Sequence, residues 1–124
     1  MPRMISFSAT KPQFIDGSKT VTRRTGWKSL KSGDILCAVE KAMGLKKGET
    51  VKRLGLIRVV SVRREPVSAI LPADVAAEGF PNMLREDFID FYCKLNKCKP
   101  SDLCARIEFV RIATDDDRVE RSHG

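Results

Sequence analysis

A chain of 124 residues can bury one core but not two, and 42% apolar with 31% charged residues is globular composition that excludes a disordered chain. No apolar run reaches the about 18 residues a membrane span needs. Met1-Pro2-Arg3-Met4 leads directly into a strand-like segment without a secretory stretch, so a cytoplasmic protein with no membrane partner is expected. The net charge of +7 is uneven: residues 1–64 hold 15 basic and 4 acidic side chains, whereas residues 65–124 hold 8 and 12. A half-chain excess of this kind attracts polyanions, which makes RNA, DNA or a nucleotide the first partners to consider, with solubility as the plain alternative.

In chain order, Met4–Phe7 is predicted as a strand, followed by a helix that Thr10 caps, that carries Pro12 in its first turn and that ends at Gly17. Lys19–Arg24 alternates as a strand, with Thr20, Thr22 and Arg24 on one face and Lys19, Val21 and Arg23 on the other unless the backbone bends. A loop from Thr25 to Gly33 holds Trp27, and Ile35–Glu40 forms the next strand. Lys41–Glu49, polar and glycine-bearing, reads as an exposed hairpin or loop. Leu54–Val62 is the strongest strand, β-branched near its centre and expected to be buried on both faces, with Pro66 closing it. A short helix from Pro72 through Glu78 stops at Gly79, and Asn82 caps a longer one that repeats Leu84, Phe88, Phe91, Tyr92 and Leu95 at helical spacing, its aromatics assigned to the core. In the last strand, Ala105–Ala113, Ile107, Phe109 and Arg111 share one face and Glu108, Val110 and Ile112 the other.

About five strands and two or three helices without regular βαβ alternation predict an α+β fold with a small mixed or antiparallel barrel. The domain spans residues 1–114, and residues 115–124, with Asp115, Asp116 and Asp117, form a flexible acidic tail in which the three acids are solvated. Cys37, Cys93, Cys98 and Cys104 contain no C-x-x-C pair and have only His123 as an imidazole partner, so neither a metal site nor a disulfide framework is expected; Cys93 and Cys104 are assigned to the core. One histidine in a terminal tail does not complete a Ser-His or Cys-His arrangement, so hydrolytic chemistry here requires lysine, a carboxylate or a metal to move protons.

The densest chemistry is Gly17-Ser18-Lys19-Thr20-Val21-Thr22-Arg23-Arg24: a glycine turn, an amine, two hydroxyls and two guanidinium groups. On residue types alone this is either a ligand-binding segment or an edge strand with solvated cations. Trp27, among Arg23, Arg24, Lys28 and Lys31, is either a base-stacking residue or packing.

Gly17-x-Lys19-x-x-Thr22-x-Arg24 resembles the signature of the ASCH domain family. The preceding strand and helix, the Gly33-Asp34 start of the next strand and the Glu78-Gly79-Phe80 stretch before a long helix follow the family's order over roughly residues 4–112. The resemblance implies a PUA-like mixed β-barrel flanked by two or three helices, with a cleft for nucleosides or nucleic acid. Thr22 stands where many members carry an acid. Gly17, Lys19, Thr20, Thr22 and Arg24 match the Gly-x-Lys-Thr-x-Thr-x-Arg pattern of the members that hydrolyse N4-acetylcytidine. The longer Thr25–Lys31 loop and the basic Lys41–Arg53 insertion depart from that pattern.

What the resemblance implies is a metal-independent, cofactor-free amidohydrolase with Lys19, Thr22 and Glu78 as catalytic residues and Thr20, Arg23, Arg24 and Trp27 against the substrate. Thr22 attacks the acetyl carbonyl, Lys19 takes its proton once burial and the adjacent cations lower its pKa, and Glu78 helps protonate the leaving amine. Arg24 orients Glu78 or stabilises the oxyanion. Lys19 and Thr22 lie three residues apart, so a bend after Gly17 is required to bring them together. The alternatives are a non-catalytic RNA-binding module and a ribonuclease acting on single-stranded RNA.

Overall fold

Segments rich in β-branched and aromatic residues pair into one five-stranded sheet, and the intervening segments supply three helices packed against its open end. The computed structural model describes residues 3–41, 47, 48 and 50–113. The strands are β1 (Arg3–Ser6), β2 (Val21–Arg24), β3 (Ile35–Val39), β4 (Arg53–Pro66) and β5 (Leu103–Ala113); the helices are α1 (Lys11–Asp16), α2 (Pro72–Ala77) and α3 (Arg85–Asn96). Single 3-10 turns over Ser8–Thr10 and Val67–Ala69 precede α1 and α2. The expected exposed loop falls partly on residues 42–46 and 49, and the acidic tail with His123 falls on 114–124; both lie outside the described residues.

The sheet order is β1-β3-β4-β5-β2, with β1 parallel to β3 and every other pair antiparallel. Register shifts at Ala38/Val39, Leu56/Ile57 and Val59/Ser61 add local twist, and the sheet curls into a half-barrel. The α+β class and mixed sheet are as expected of a PUA-like domain, but closure is incomplete. β1 and β2, the two edges, share no ladder. They meet where Arg24 Nη2 donates to the Ser6 carbonyl at 2.6 Å.

β4 runs longer than the Leu54–Val62 reading, and only one of its faces is buried. Ile57 and Val59 are sealed while Arg58 and Val60 face outward, the one-sided alternation of an antiparallel sheet with a solvated face. The inner face packs Ile57, Val59, Ile107 and Phe109 against Phe7 and Phe14, whose rings stack at 5.0 Å. A second cluster under α3 gathers Val67, Ile70, Val75, Phe88, Tyr92 and Cys104. Cys104 is buried as read, but Cys93 is only half-buried, and all four cysteines are free.

Two expected caps are absent. Thr10 makes no side-chain bond to α1, since the 3-10 turn already feeds that helix, and α3 starts after Leu84 without Asn82 capping it. Leu84 and Leu95 are exposed, so the buried stripe of α3 is narrower than its apolar periodicity suggests, with Phe88, Ile89 and Tyr92 at its centre. No helix among the described residues is long and apolar enough to cross a membrane.

Gly79 links the end of α2 to α1. Its φ of +111° is closed to most side chains, and a Cβ there would lie 3.0 Å from Cβ and Cγ of Gln13, whose Nε2 donates to the Gly79 carbonyl at 3.1 Å. Gly79→Ala is expected to cost about 1–3 kcal/mol through strain and lost packing, visible as a lower urea midpoint at an unchanged m-value.

Candidate functional site

The site begins where α1 stops. Gly17 adopts the left-handed conformation (φ 84°) and donates its N–H to the Phe14 carbonyl, turning the chain back along its own helix. Lys19 N–H then bonds to the Gln13 carbonyl at 3.1 Å and Thr20 N–H to the Ala77 carbonyl at 2.8 Å. Regular strand geometry starts only at Val21, two residues later than the sequence suggests. Lys19 therefore lies in an irregular segment pinned to α1, which is how it reaches the same cavity as Thr22 despite the three-residue offset.

That cavity has a volume of about 180 Å³ and opens between β1, β2, the end of α2 and α3. Lys19, Thr22, Arg23, Arg24 and Glu78 form its polar side; Phe7, Phe80, Phe88, Phe91 and Tyr92 form an aromatic wall. Lys19, Thr22, Arg23 and Glu78 are each less than 5% exposed. Glu78 follows the last turn of α2 and holds both cations. Lys19 Nζ donates to its Oε1 at 3.2 Å and to its backbone carbonyl at 2.7 Å, while Arg23 Nη1 donates to Oε2 at 3.3 Å. Burial pushes the Lys19 amine below its ordinary value; Glu78 opposes that shift, and Arg24 and Arg23 add to it.

Arg23 is the centre of a wider network. Its Nη2 also donates to Glu65 Oε2 at 2.7 Å and to Asp74 Oδ2 at 3.0 Å. Arg106 grips the same Asp74 through two bonds, at 2.7 and 3.0 Å, and Arg63 binds the other oxygen of Glu65. Arg24 serves a different partner: its Nε donates to Thr22 Oγ1 at 3.1 Å. Its guanidinium makes no hydrogen bond to Glu78, so Arg23 does the orienting that the sequence left open to Arg24. The bond to Oγ1 occupies a lone pair of the hydroxyl and leaves the hydroxyl proton available to another acceptor.

Of the residues singled out from sequence, Lys19, Thr22, Glu78, Arg23 and Arg24 converge on this cavity. Thr20 and Trp27 do not line it. Thr20 is a backbone anchor with an exposed side chain, its carbonyl accepting from Phe109 N–H at 3.0 Å. Trp27 packs against the barrel core, with the Arg3 guanidinium 3.8 Å above its ring. Sequence reading missed the aromatic wall, assigned there to core packing, and the Glu65, Asp74 and Arg106 contacts. Those acids and bases are far apart in the chain and follow no local spacing. Cys93 and Cys104 offer no activated thiol: burial pushes both up, Cys93 to about 11. Among the described residues no three His, Cys, Asp or Glu side chains come together as a metal site.

No protein-family model and no curated protein matches this chain. A similar fold occurs in the crystal structure of protein EF3133 from Enterococcus faecalis V583, assigned to the family model DUF984. The likeness has a TM-score of 0.67 and 16% sequence identity, covering 92% of this chain and 82% of that one. At this identity the likeness shows the fold alone.

The carboxylate of Asp74 is held down at about 2, first by the Arg106 hydrogen bonds and then, against the cost of burial, by Arg23. A depressed folded-state carboxylate contributes stability above its ordinary pKa and loses it as the group protonates. Thermal stability is expected to fall between about pH 4 and pH 2, with about 1–2 kcal/mol of the loss belonging to Asp74. Asp74→Asn should be less stable at pH 7 and show a shallower acid limb in melts recorded across that range.

Proposed function

We propose that the chain is an ASCH-type domain acting as a metal-independent amidohydrolase that removes the acetyl group from N4-acetylcytidine or a related N4-acylcytosine. What supports this reading above all is that a hydroxyl, a buried amine with a lowered pKa and a carboxylate come from two distant segments to one small aromatic-walled cavity. A cavity of about 180 Å³ suits one planar heterocycle with its sugar at the mouth, and the partly exposed rings of Phe80 and Phe91 offer apolar surface to it.

In the proposed reaction Thr22 Oγ1 attacks the acetyl carbonyl and its proton passes to neutral Lys19 Nζ. Arg24, bonded to the same hydroxyl oxygen, lies beside the charge that develops on the carbonyl oxygen. Collapse of the tetrahedral adduct breaks the C–N4 bond; the leaving nitrogen takes a proton from the Lys19 ammonium, with Glu78 bonded to the amine. Water, deprotonated by Lys19, then attacks the threonyl ester, the acyl–Oγ1 bond breaks and the Lys19 ammonium returns its proton to Thr22 Oγ1 as acetic acid is released, so one amide and one water yield one amine and one carboxylic acid. Arg23 keeps Glu78 aimed throughout.

Incubation with N4-acetylcytidine should release cytidine, followed by chromatography; folded protein that yields none refutes the assignment. Thr22→Val should bind the substrate and not turn it over. Lys19→Arg retains a cation for Glu78 but no titratable amine, and should lower kcat by about 10²–10⁴-fold. Because Lys19 must be neutral to accept a proton, kcat/KM of the native protein should rise with pH through a single ionisation below the ordinary lysine value. Lys19→Arg should lose that limb.

A further inference from the structure

The excess positive charge of the first half of the chain is spent differently in two places. Around the cleft Lys19 and Arg23 each face a carboxylate. A second groove, of about 400 Å³, lies between the loop after β2 and the middle of β4, and shares no lining residue with the cleft. Its walls carry Lys28 and Lys31 on one side and Arg63 and Arg64 on the other.

Among the described residues no carboxylate forms an ion pair with Lys28, Lys31 or Arg64. Arg63 alone shares Glu65, at 2.6 Å. The nearby acids are turned to other partners: Asp34 accepts the backbone N–H of Lys31 at 3.0 Å, and Glu108 accepts the Ser61 hydroxyl at 3.3 Å and faces Arg106.

The groove is also built, not merely charged. Trp27 holds a left-handed backbone (φ 56°), unusual for so bulky a residue, with its ring held between the barrel core and Arg3. That strained corner projects Lys28–Lys31 over β4, where Arg64 Nη1 donates to the Gly26 carbonyl at 3.1 Å and Ser32 Oγ donates to the Val60 carbonyl at 2.8 Å. Ser32 and Ser61 have thus committed their protons to protein oxygens, leaving each hydroxyl oxygen as an acceptor between the cations.

We propose that this groove binds the backbone of single-stranded RNA. The cations neutralise successive phosphates, and the two serine oxygens accept hydrogen bonds from ribose 2′-hydroxyls, a donor that DNA lacks. Trp27 also lines the groove, with Arg3 over one face of its ring. The inference is independent of amide hydrolysis in the cleft and stands or falls by binding alone.

The test is fluorescence anisotropy with a labelled eight-nucleotide oligouridylate between 50 and about 200 mM salt, a range over which phosphate contacts weaken steeply. Lys28→Ala/Lys31→Ala should lose about tenfold in affinity and reduce the log–log salt slope by about 1–2. Lys94→Ala/Lys99→Ala, which removes equal charge at the far end of α3, should change affinity less than about twofold. The same-length oligodeoxyuridylate should bind more weakly than the RNA. Equal losses in both double variants would reduce the effect to net charge and overturn the proposal. DNA bound as tightly as RNA would overturn it as well, and so would absence of RNA binding alongside binding to vesicles of anionic phospholipid.

Discussion

Arg23 carries its charge to a place where its side chain has no exposed surface, and only carboxylates can hold it there. Three do: Glu65 from β4, Asp74 from the first turn of α2, and Glu78 beyond that helix's end. One guanidinium thus ties β2 to β4 and to both ends of α2. Losing it would leave three acids facing each other in a dry interior, and losing any one acid would leave part of the cation uncompensated. The position of Glu78 beside Lys19 follows from this arrangement. The cavity has its shape because the charge network beneath it leaves α2 little freedom.

The same network explains why the polar side of the cavity is chemically uneven. Lys19 and Arg23 share Glu78, whereas Arg24 is bonded to a threonine hydroxyl and a main-chain carbonyl. Burial lowers the basicity of both Lys19 and Arg24, while the carboxylates around Arg23 outweigh its own burial. Adjacent residues on one short strand are consequently divided in role. Both line the cleft, but Arg23 is held by three carboxylates and Arg24 by a hydroxyl and a main-chain carbonyl.

Much of the fold was legible because it rests on local rules. The alternation of β5, the Pro72 start of α2 and the glycine stop of α1 are each written in a few neighbouring residues. The bend that joins Lys19 to Thr22 could be required from sequence but not located, since the bonds that make it, to Gln13 and Ala77, come from other elements. Burial of β4 was overread because β-branched residues on both faces satisfy strand propensity whether or not a second layer covers them. Phe91 and Tyr92 read as core for a similar reason: helical periodicity reports a face, and that face happens to border a cavity as well as a core. Trp27, open from sequence to stacking or packing among Arg23, Arg24, Lys28 and Lys31, packs on the core beneath a different cation, Arg3, which is remote in sequence.

The incomplete closure of the sheet also bears on how the molecule meets copies of itself. Strand edges are templates on which other chains can extend a sheet, and an open half-barrel has two of them. Here each edge is only four residues long, and an arginine bridges the seam where they approach each other. The longer strands, β3 to β5, lie inside the sheet, and the stretches of β4 and β5 that outrun their shorter neighbours leave only part of a strand edge on which another chain could add.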